Sequence, residues 1–330
     1  MKEKIRVIVT VLFIAILCSG TVFAGGETEQ VDEGKLKVAI LLPGVITDQG
    51  WNTLAYNALK AVETALDAEI AYTENTPASD YEEIFRGYAN AGFDVIMGHG
   101  FEFGDAGKLV AKEFPDKYFI ITSTMISQDP NLASFVINDA EAGFVEGYIA
   151  AMLTKSGKVG TIGGMEIPPI ANQQKGFKAG VRYYNPDVEI SAVYTGSFHD
   201  IAKGKDMAKA MIESGIDILV PNADESSLGV VEAAREVGVT VVAGGGSDLG
   251  EENGDVVLLS LLQDYGRVFT MLVQSTLDGT FKAEPLVMGL AEGVTSISPI
   301  RGNITLTADQ KTEIDKLIED LKSGKIDPNK

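Results

Sequence analysis

Short apolar segments alternate with longer amphipathic segments along most of this 330-residue chain. The short segments are rich in β-branched residues and predict ten strands, at 36–42, 68–72, 94–97, 118–122, 134–137, 158–163, 188–194, 217–220, 240–243 and 256–260. The longer segments repeat apolar residues at helical spacing and predict helices at 52–66, 80–91, 105–114, 140–154, 172–184, 202–214, 226–237, 264–277 and 306–323. A strand followed by a helix, repeated, is typical of an α/β fold with helices on both faces of a parallel sheet.

The number of predicted strands indicates more than one sheet. Ten strands exceed what one doubly wound domain of ordinary size needs, and a chain of this length can form two cores. We therefore predict two doubly wound lobes.

The first residues indicate export from the cytoplasm. Three basic residues in the first six positions precede an apolar segment at 7–17, which is shorter than the ~20 residues a membrane-spanning helix needs. Small residues at 22 and 24 then complete a secretory signal peptide, predicted at 1–24 and cleaved after Ala24. The Gly- and Glu-rich stretch 25–35 is predicted to be a flexible leader. An uncleaved membrane anchor is the alternative.

Cys18 is the only cysteine and raises a second interpretation, a lipidated N-terminus. Leu17 stands where bacterial lipoprotein signals normally have a small residue, which favours simple secretion. We expect a protein secreted across the inner membrane, in the periplasm or cell envelope, with lipid anchoring as the alternative. In both cases the folded part has no thiol, which excludes disulfides and cysteine nucleophiles.

The formal net charge is −20 at pH 7, and loss of the basic signal segment would make the mature chain more acidic still. A negative field of this size repels nucleic-acid backbones and anionic membrane surfaces. Nucleic acid is therefore not an expected partner.

The loop Asp48-Gln49-Gly50-Trp51-Asn52 follows the first predicted strand and contains the only tryptophan of the chain. Ligands of open α/β sheets bind beyond the carboxyl ends of the strands. The indole ring offers a stacking surface for a flat ligand, and Asn52 and Asp48 offer directional hydrogen bonds. The alternative is that Trp51 only fixes the helix start to the core.

Two further aromatic loops follow predicted strands. Gly98-His99-Gly100-Phe101 contains two glycines that allow close approach of a ligand, and Phe101 is a candidate ligand contact. Gly196-Ser197-Phe198-His199-Asp200 resembles the Trp51 loop in composition, so Phe198 could face Trp51 across a cleft. The alternatives are a structural histidine and a phenylalanine that covers a helix start.

Two carboxylates complete the candidate set. Asp248 follows three glycines, in a segment suited to a hinge, and can accept hydrogen bonds from ligand hydroxyl groups. The alternative for Asp248 is a turn with a capping side chain. Asp224, after the predicted strand 217–220, is a weaker candidate because it could equally cap the next helix.

The usual signatures of catalysis are missing from the sequence. It contains neither a Gly-x-x-x-x-Gly-Lys-Ser/Thr phosphate loop nor a Gly-x-Ser-x-Gly nucleophile elbow, and two histidines without a mature cysteine supply a zinc site poorly. We predict a protein that is not an enzyme and uses no cofactor and no metal.

Taken together, these segments resemble the basic membrane protein family, the purine nucleoside receptor A-like substrate-binding proteins that serve ABC importers. The resemblance extends from about residue 36 to 300. It is carried by the strand 37–42 and by the segments 48–52, 100–101, 143–151, 157–160, 176–180, 196–200 and 203–204.

The resemblance implies a type I periplasmic binding protein fold, in which two doubly wound lobes are joined by three hinge crossovers. Lobe 1 would comprise 36–137 and 246–282, and lobe 2 would comprise 138–245 and 283–330. The expected partners are a small-molecule ligand, an ABC permease and its ATPase, and the chain is expected to be a monomer.

The resemblance also implies roles for individual residues. A purine nucleoside would lie between Trp51 and Phe198, with Asn52 reading the base and Asp248 holding the ribose hydroxyl groups. Two positions depart from the family: Ser123 stands where many members have Asp, and Gln263 where many have Lys. These departures leave a free purine base or another small polar ligand as alternatives to a nucleoside.

We therefore expect a purine nucleoside or purine base to be delivered to the permease. A receptor or sensor for a sugar or other small polar ligand is the first alternative. A nucleoside-processing enzyme that uses carboxylates and a surface adhesin are less favoured.

Overall fold

The computed structural model describes residues 34–48 and 50–329. The predicted signal peptide, Cys18 and nearly all of the predicted leader lie outside this part of the chain. None of the helices within it is long and apolar enough to cross a membrane.

Twelve strands form in the described part of the chain, ten of them within four residues of a predicted strand at each end. They are β1 (Lys37–Leu41), β2 (Glu69–Thr73), β3 (Val95–Gly98), β4 (Tyr118–Thr122), β5 (Leu132–Ile137), β6 (Lys158–Gly163), β7 (Glu189–Tyr194), β8 (Ile218–Asn222), β9 (Thr240–Gly246), β10 (Val257–Gln263), β11 (Pro285–Met288) and β12 (Thr295–Ile297). The two strands absent from the prediction, β11 and β12, are too short to show a period.

The helices also follow the predicted order. They are α1 (Trp51–Leu66), α2 (Tyr81–Asn90), α3 (Gly104–Glu113), α4 (Asp139–Leu153), α5 (Pro168–Tyr184), α6 (Ile201–Glu213), α7 (Ser226–Val237), α8 (Gly250–Asn253), α9 (Tyr265–Leu277) and α10 (Ala308–Lys322). Only the single-turn helix α8 lacks a predicted counterpart.

The strands form two separate six-stranded sheets. The first has the order β11-β5-β4-β3-β1-β2 and is parallel throughout, and the second has the order β12-β10-β9-β8-β6-β7. In the second sheet only the short edge strand β12 is antiparallel. The predicted pair of doubly wound lobes is therefore present.

Both faces of each sheet are buried, which explains the continuous apolar strands. In β1, Val38 and Ile40 join one core cluster, while Ala39 and Leu41 join a second cluster on the opposite face. Alternate residues of a strand point to opposite faces, so a strand with helices on both sides needs apolar residues at every position.

Helix α4 is buried almost all round because it packs against the second sheet, α5 and α10. Its crossing with α5 depends on glycine. A Cβ on Gly147 would lie 2.0 Å from the carbonyl oxygen of Phe177, and one on Gly143 would lie 2.0 Å from that of Gln173. The two helix backbones therefore touch directly.

Three segments connect the lobes. The chain leaves the first sheet after β5 and enters α4, returns from β10 into α9, and leaves again between β11 and β12. Helix α9 lies beside α1 and shares its core cluster, which places it in the first lobe.

The predicted lobe boundaries need two corrections. Residues 246–282 were expected in lobe 1, but β10 pairs with β9 in the second sheet, so this crossing occurs near Asp264. Residues 283–330 were expected in lobe 2, but β11 pairs with β5 in the first sheet. An apolar pattern shows that a strand is buried without showing which sheet it joins.

Candidate functional site

The loops at the carboxyl ends of β1, β7 and β8 meet where the two lobes face each other. The loop after β1 belongs to the first lobe, and the loops after β7 and β8 belong to the second. The ends of β5 and β10, where the chain crosses between lobes, lie beside them. Most of the residues predicted for the site come from these loops.

Asp48 holds the loop after β1 in shape. Its carboxylate is 2% exposed and accepts the backbone N–H groups of Gly50, Asn52 and Thr53, each at 2.9 Å. The Thr53 hydroxyl and the Asn52 side-chain amide also donate to it, at 2.8 and 2.7 Å. Burial alone would raise the pKa of Asp48, but these hydrogen bonds together bring it below its ordinary value.

Asn52 extends this network to the end of β1. Its Oδ1 accepts the backbone N–H of Gly44 at 3.1 Å, while its Nδ2 donates to Asp48. The Asn52 side chain is 7% exposed. The predicted polar residues of the loop thus bond to each other and fix the start of α1.

The Trp51 ring is partly exposed and is fixed on one side. It stacks on His99 with a centroid distance of 3.8 Å, and its Nε1–H donates to the Tyr265 hydroxyl at 3.4 Å. The Tyr265 hydroxyl also lies near Ser123, one of the two positions that depart from the family. The predicted stacking residue is therefore held in a defined orientation.

His99 has a supporting role beneath Trp51. It is fully buried, its Nε2 lies 3.2 Å from the Trp51 carbonyl oxygen, and its Nδ1 lies 3.1 Å from the Thr122 hydroxyl. Burial lowers the pKa of His99 to about 3, so the ring is neutral at physiological pH. This agrees with the structural interpretation of this histidine.

Asp224 reaches across from the second lobe to the Trp51 loop. A Cβ on Gly50 would lie 3.0 Å from Asp224 Oδ1, so the carboxylate lies against the backbone of this loop. Burial, together with the negative charge of Asp48, raises the pKa of Asp224 to about 7. Asp224, the weaker of the two carboxylates predicted for the site, thus lies where the lobes touch.

Phe198 lies in the loop next to Asp224. Its carbonyl oxygen accepts the backbone N–H of Ser226 at 3.1 Å. Its partly buried ring packs against Gly164, where a Cβ would come within 2.3 Å of ring carbons. The loops that carry Phe198 and Asp224 therefore form one surface of the second lobe.

Two predicted residues lie apart from this group. Phe101 is 49% exposed at the start of a short 3-10 turn. Asp248 accepts Arg301 Nη1–H at 2.9 Å and the Gly250 backbone N–H at 3.2 Å, so its carboxylate is engaged at the turn before α8. A role of either residue toward a ligand stays a prediction.

Further polar residues line the inner end of the cleft, beside the crossovers. Gln263, at the end of β10, lies near Asp139, the first residue of α4. Glu146, about two helical turns further along α4, is 1% exposed. It accepts a hydrogen bond from the Gln173 amide. The predicted site residues did not include Asp139, Glu146 or Gln173, although a glutamate within an almost wholly apolar helix was a usable signal.

Metal ligation is not indicated in the described part of the chain, where no group of three or more His, Cys, Asp or Glu side chains could hold an ion. The site offers an aromatic ring, amides and carboxylates around a cleft. This composition suits noncovalent capture of a flat polar molecule.

Comparisons with known proteins agree with the fold. The chain is 31% identical to basic membrane protein A of Borreliella burgdorferi over 323 residues, which cover 96% of this chain and 92% of that protein. It is 29% identical to a purine-binding protein of Brucella abortus over 303 residues, covering 90% and 83% respectively. An ABC transporter solute-binding protein from Conexibacter woesei superposes with a TM-score of 0.75 and 25% identity, covering 88% of this chain and 98% of that structure.

These structural relatives confirm the predicted type I periplasmic binding protein fold. Residues 35–327 match the model of a family described as ABC transporter substrate-binding protein PnrA-like. The match spans nearly all of the described residues, so this chain belongs to the PnrA-like family of ABC transporter substrate-binding proteins.

Proposed function

We propose that this chain is the extracytoplasmic binding protein of an ABC importer and that it takes a purine nucleoside or a free purine base between its lobes. The observation that carries this proposal is the position of Trp51. Its ring is fixed by His99 and Tyr265 beside the point where Asp224 of the other lobe meets its loop. A heteroaromatic ring would stack on Trp51, with Phe198 approaching from the second lobe.

The polar groups of the Trp51 loop suit the edge of a base. A side-chain amide nitrogen carries two N–H groups, and Asn52 uses one of them on Asp48. The second N–H can donate to a ring nitrogen or carbonyl oxygen of a purine. Asp48 then acts mainly by holding Asn52 and Trp51 in place.

Ligand binding would favour closure of the cleft. A ligand in contact with both lobes interacts more favourably with the closed state than with the open one, and the three crossovers near 138, 264 and 289–294 are the hinges. The closed surface would be recognised by the permease and its ATPase, and the chain would act as a monomer without chemical change to the ligand. Secretion by the signal peptide, with or without lipidation at Cys18, would place it outside the cytoplasm.

A fluorescence titration of the mature protein tests this proposal, because the chain has a single tryptophan and it lies at the proposed site. Adenosine, guanosine, inosine, the free bases, ribose and galactose would be added, with correction for purine absorbance. Saturable changes with purine nucleosides at micromolar concentration are expected, and inosine should be recovered unchanged.

The other outcomes are equally informative. A response to free bases alone would indicate that the chain recognises only the base and not the ribose. The presence of Gln263 where many family members have Lys suggests this outcome. A response to ribose or galactose without any response to purines would contradict the proposal and favour the sugar-receptor alternative.

A further inference from the structure

The three crossovers between the lobes are hydrogen-bonded to one another. The backbone N–H of Asn138, in the first crossover, donates to the carbonyl oxygen of Met288 at 2.7 Å. The backbone N–H of Asp264, in the second crossover, donates to the carbonyl oxygen of Val294 at 2.8 Å. Because these two acceptors stand at the two ends of the third crossover, 289–294, this segment is held between the other two.

The third crossover is a compact turn that is anchored in both lobes. The carbonyl oxygen of Gly289 accepts the backbone N–H groups of Val294 and Thr295, at 3.0 and 3.1 Å. Leu290 is buried in the core of the second lobe, whereas Val294 is buried in the core of the first. A rotation of one lobe relative to the other must therefore be taken up at this turn.

Glu141, in the first turn of α4, fixes the third crossover to the second lobe. Its side chain is 6% exposed, and its Oε2 accepts the backbone N–H of Leu290 at 2.7 Å. The backbone N–H of Glu141 in turn donates to the side chain of Asn138, the N-cap of α4, at 3.3 Å. One residue thus joins the first crossover to the third.

Gly289 leaves room for the Glu141 carboxylate. A Cβ on Gly289 would lie 2.3 Å from Glu141 Oε2 and 3.3 Å from the Cβ of Asn138. Gly289 is not among the glycines with a positive φ, so the turn does not need glycine there for a left-handed conformation. The missing side chain at position 289 is therefore required by the contact with Glu141.

We infer that Glu141 is a positioning residue of the hinge, which makes the first and third crossovers move as one unit when the lobes open and close. It would act without touching the ligand. Without its carboxylate, the third crossover would rotate independently, and closure would have to order it again. Ordering the backbone of one residue changes an equilibrium constant by about tenfold. The inference goes beyond the proposed function, because it concerns the motion of the lobes with any ligand.

Distances between the lobes of the mature protein test this inference. Cys18 is the only cysteine and precedes the predicted cleavage site, so fluorophores can be attached at Lys112→Cys in α3 and Glu213→Cys in α6, both exposed positions. Single-molecule energy transfer in the ligand-free protein should show a broader distribution of inter-lobe distances in Glu141→Ala than in the wild type. Glu141→Gln keeps an oxygen that can accept the Leu290 N–H and should restore the narrow distribution.

Gly289→Ala tests the same contact without removing the carboxylate. The added methyl group should displace the Glu141 side chain and broaden the distribution. In the double variant Glu141→Ala/Gly289→Ala the two effects should not add, because the new Cβ no longer meets a carboxylate. Glu292→Ala is the matched control, since the exposed Glu292 accepts the backbone N–H of Gly289 at 2.8 Å within the turn itself, and its distribution should stay narrow.

Ligand affinity supplies a second measurement. Calorimetry should show about tenfold weaker binding of adenosine, guanosine and inosine to Glu141→Ala, by the same factor for each, because the hinge does not contact the ligand. A loss confined to one nucleoside, unchanged distances in both Glu141→Ala and Gly289→Ala, or equal broadening in Glu292→Ala would overturn the inference. If no purine bound to the wild type, the proposed function would fail, and the ligand-free distances would still decide the role of Glu141.

Discussion

The carboxylate of Asp224 in the second lobe lies against Gly50 in the first lobe, where a Cβ on Gly50 would lie 3.0 Å from Asp224 Oδ1. This contact joins the loop that carries Trp51 to a side chain that reaches the loop only when the lobes are close. Asp224 stands at a backbone φ of 44°, an uncommon conformation for a residue other than glycine. The second lobe therefore presents this carboxylate to the Trp51 loop in a fixed direction.

The Asp224 contact predicts that closure depends on pH. Burial, with the negative charges of Asp48 and Glu225, raises the pKa of Asp224 to about 7, while His199 and the Trp51 backbone N–H act in the opposite direction. In an open cleft the carboxyl would be solvated and would titrate near its ordinary value of 3.8. The Asp224 carboxyl therefore binds a proton more tightly in the closed state than in the open state. The fraction of closed molecules should fall as pH rises from about 4 to 7 and remain low above pH 7.

Small-angle scattering of the ligand-free protein at pH 5 and pH 8 measures this change as an increase in the radius of gyration. Asp224→Asn keeps the shape of the side chain without the titration, and its radius of gyration should not change between the two pH values. A pH response that persists unchanged in Asp224→Asn would assign the effect to other groups.

The Asp48 network predicts a large loss of stability when its carboxylate is removed. Five donors converge on this buried group, so Asp48→Ala should lower the free energy of unfolding by about 2–4 kcal/mol, the range for charged hydrogen bonds and a lost helix cap. Urea denaturation measures the difference. Asp80→Ala is the control, because Asp80 precedes α2 without a side-chain capping bond.

The pH dependence of this stabilisation has a definite sign. The pKa of Asp48 is lower in the folded protein than its ordinary value of 3.8, so its contribution is present above that value and is lost as pH falls through the folded-state pKa. The difference in stability between the wild type and Asp48→Ala should therefore be constant from pH 5 to pH 7 and should shrink below about pH 4. A difference that grows with acidification would contradict the assignment.

Trp51 predicts a graded effect on ligand affinity. Loss of one stacked face costs ~1–3 kcal/mol, so Trp51→Ala should weaken binding of a purine nucleoside by roughly tenfold or more. Trp51→Phe keeps an aromatic face and should bind within about tenfold of the wild type. Calorimetry is the suitable measurement, since both variants lack the fluorescent residue, and unaltered binding by Trp51→Ala would place the ligand elsewhere.

The sequence predicted most of the fold because each buried element has a periodic pattern of its own. Strand β4 and helix α7 begin and end where the pattern placed them. The division into lobes was harder to predict from the sequence. Strand β10 is as apolar as any core strand, and this pattern would be the same in either sheet. Within the site, the Trp51 loop was identifiable from local composition and position after β1.

The remaining features of the site depend on contacts between residues far apart in the chain. Asp248 has Arg301 as its partner, 53 residues away, and nothing in the Gly-rich segment before it indicates that arginine. Asp224 meets Trp51 only through the arrangement of the two lobes. Glu146 was visible as a charge in an apolar helix, but its partner Gln173 comes from another helix.

The contact between α4 and α5 predicts that two glycine substitutions will have opposite effects. Gly147→Ala would place a Cβ 2.0 Å from the Phe177 carbonyl oxygen, so the helices must separate, and we expect a loss of about 3 kcal/mol or more in the free energy of unfolding. Gly87→Ala, within the exposed helix α2, meets nothing within 4 Å and should stabilise the protein by about 0.5–1 kcal/mol through helix propensity. Thermal or urea unfolding of both variants measures the contrast. Equal effects of the two substitutions would mean that α4 and α5 are not in direct backbone contact in solution.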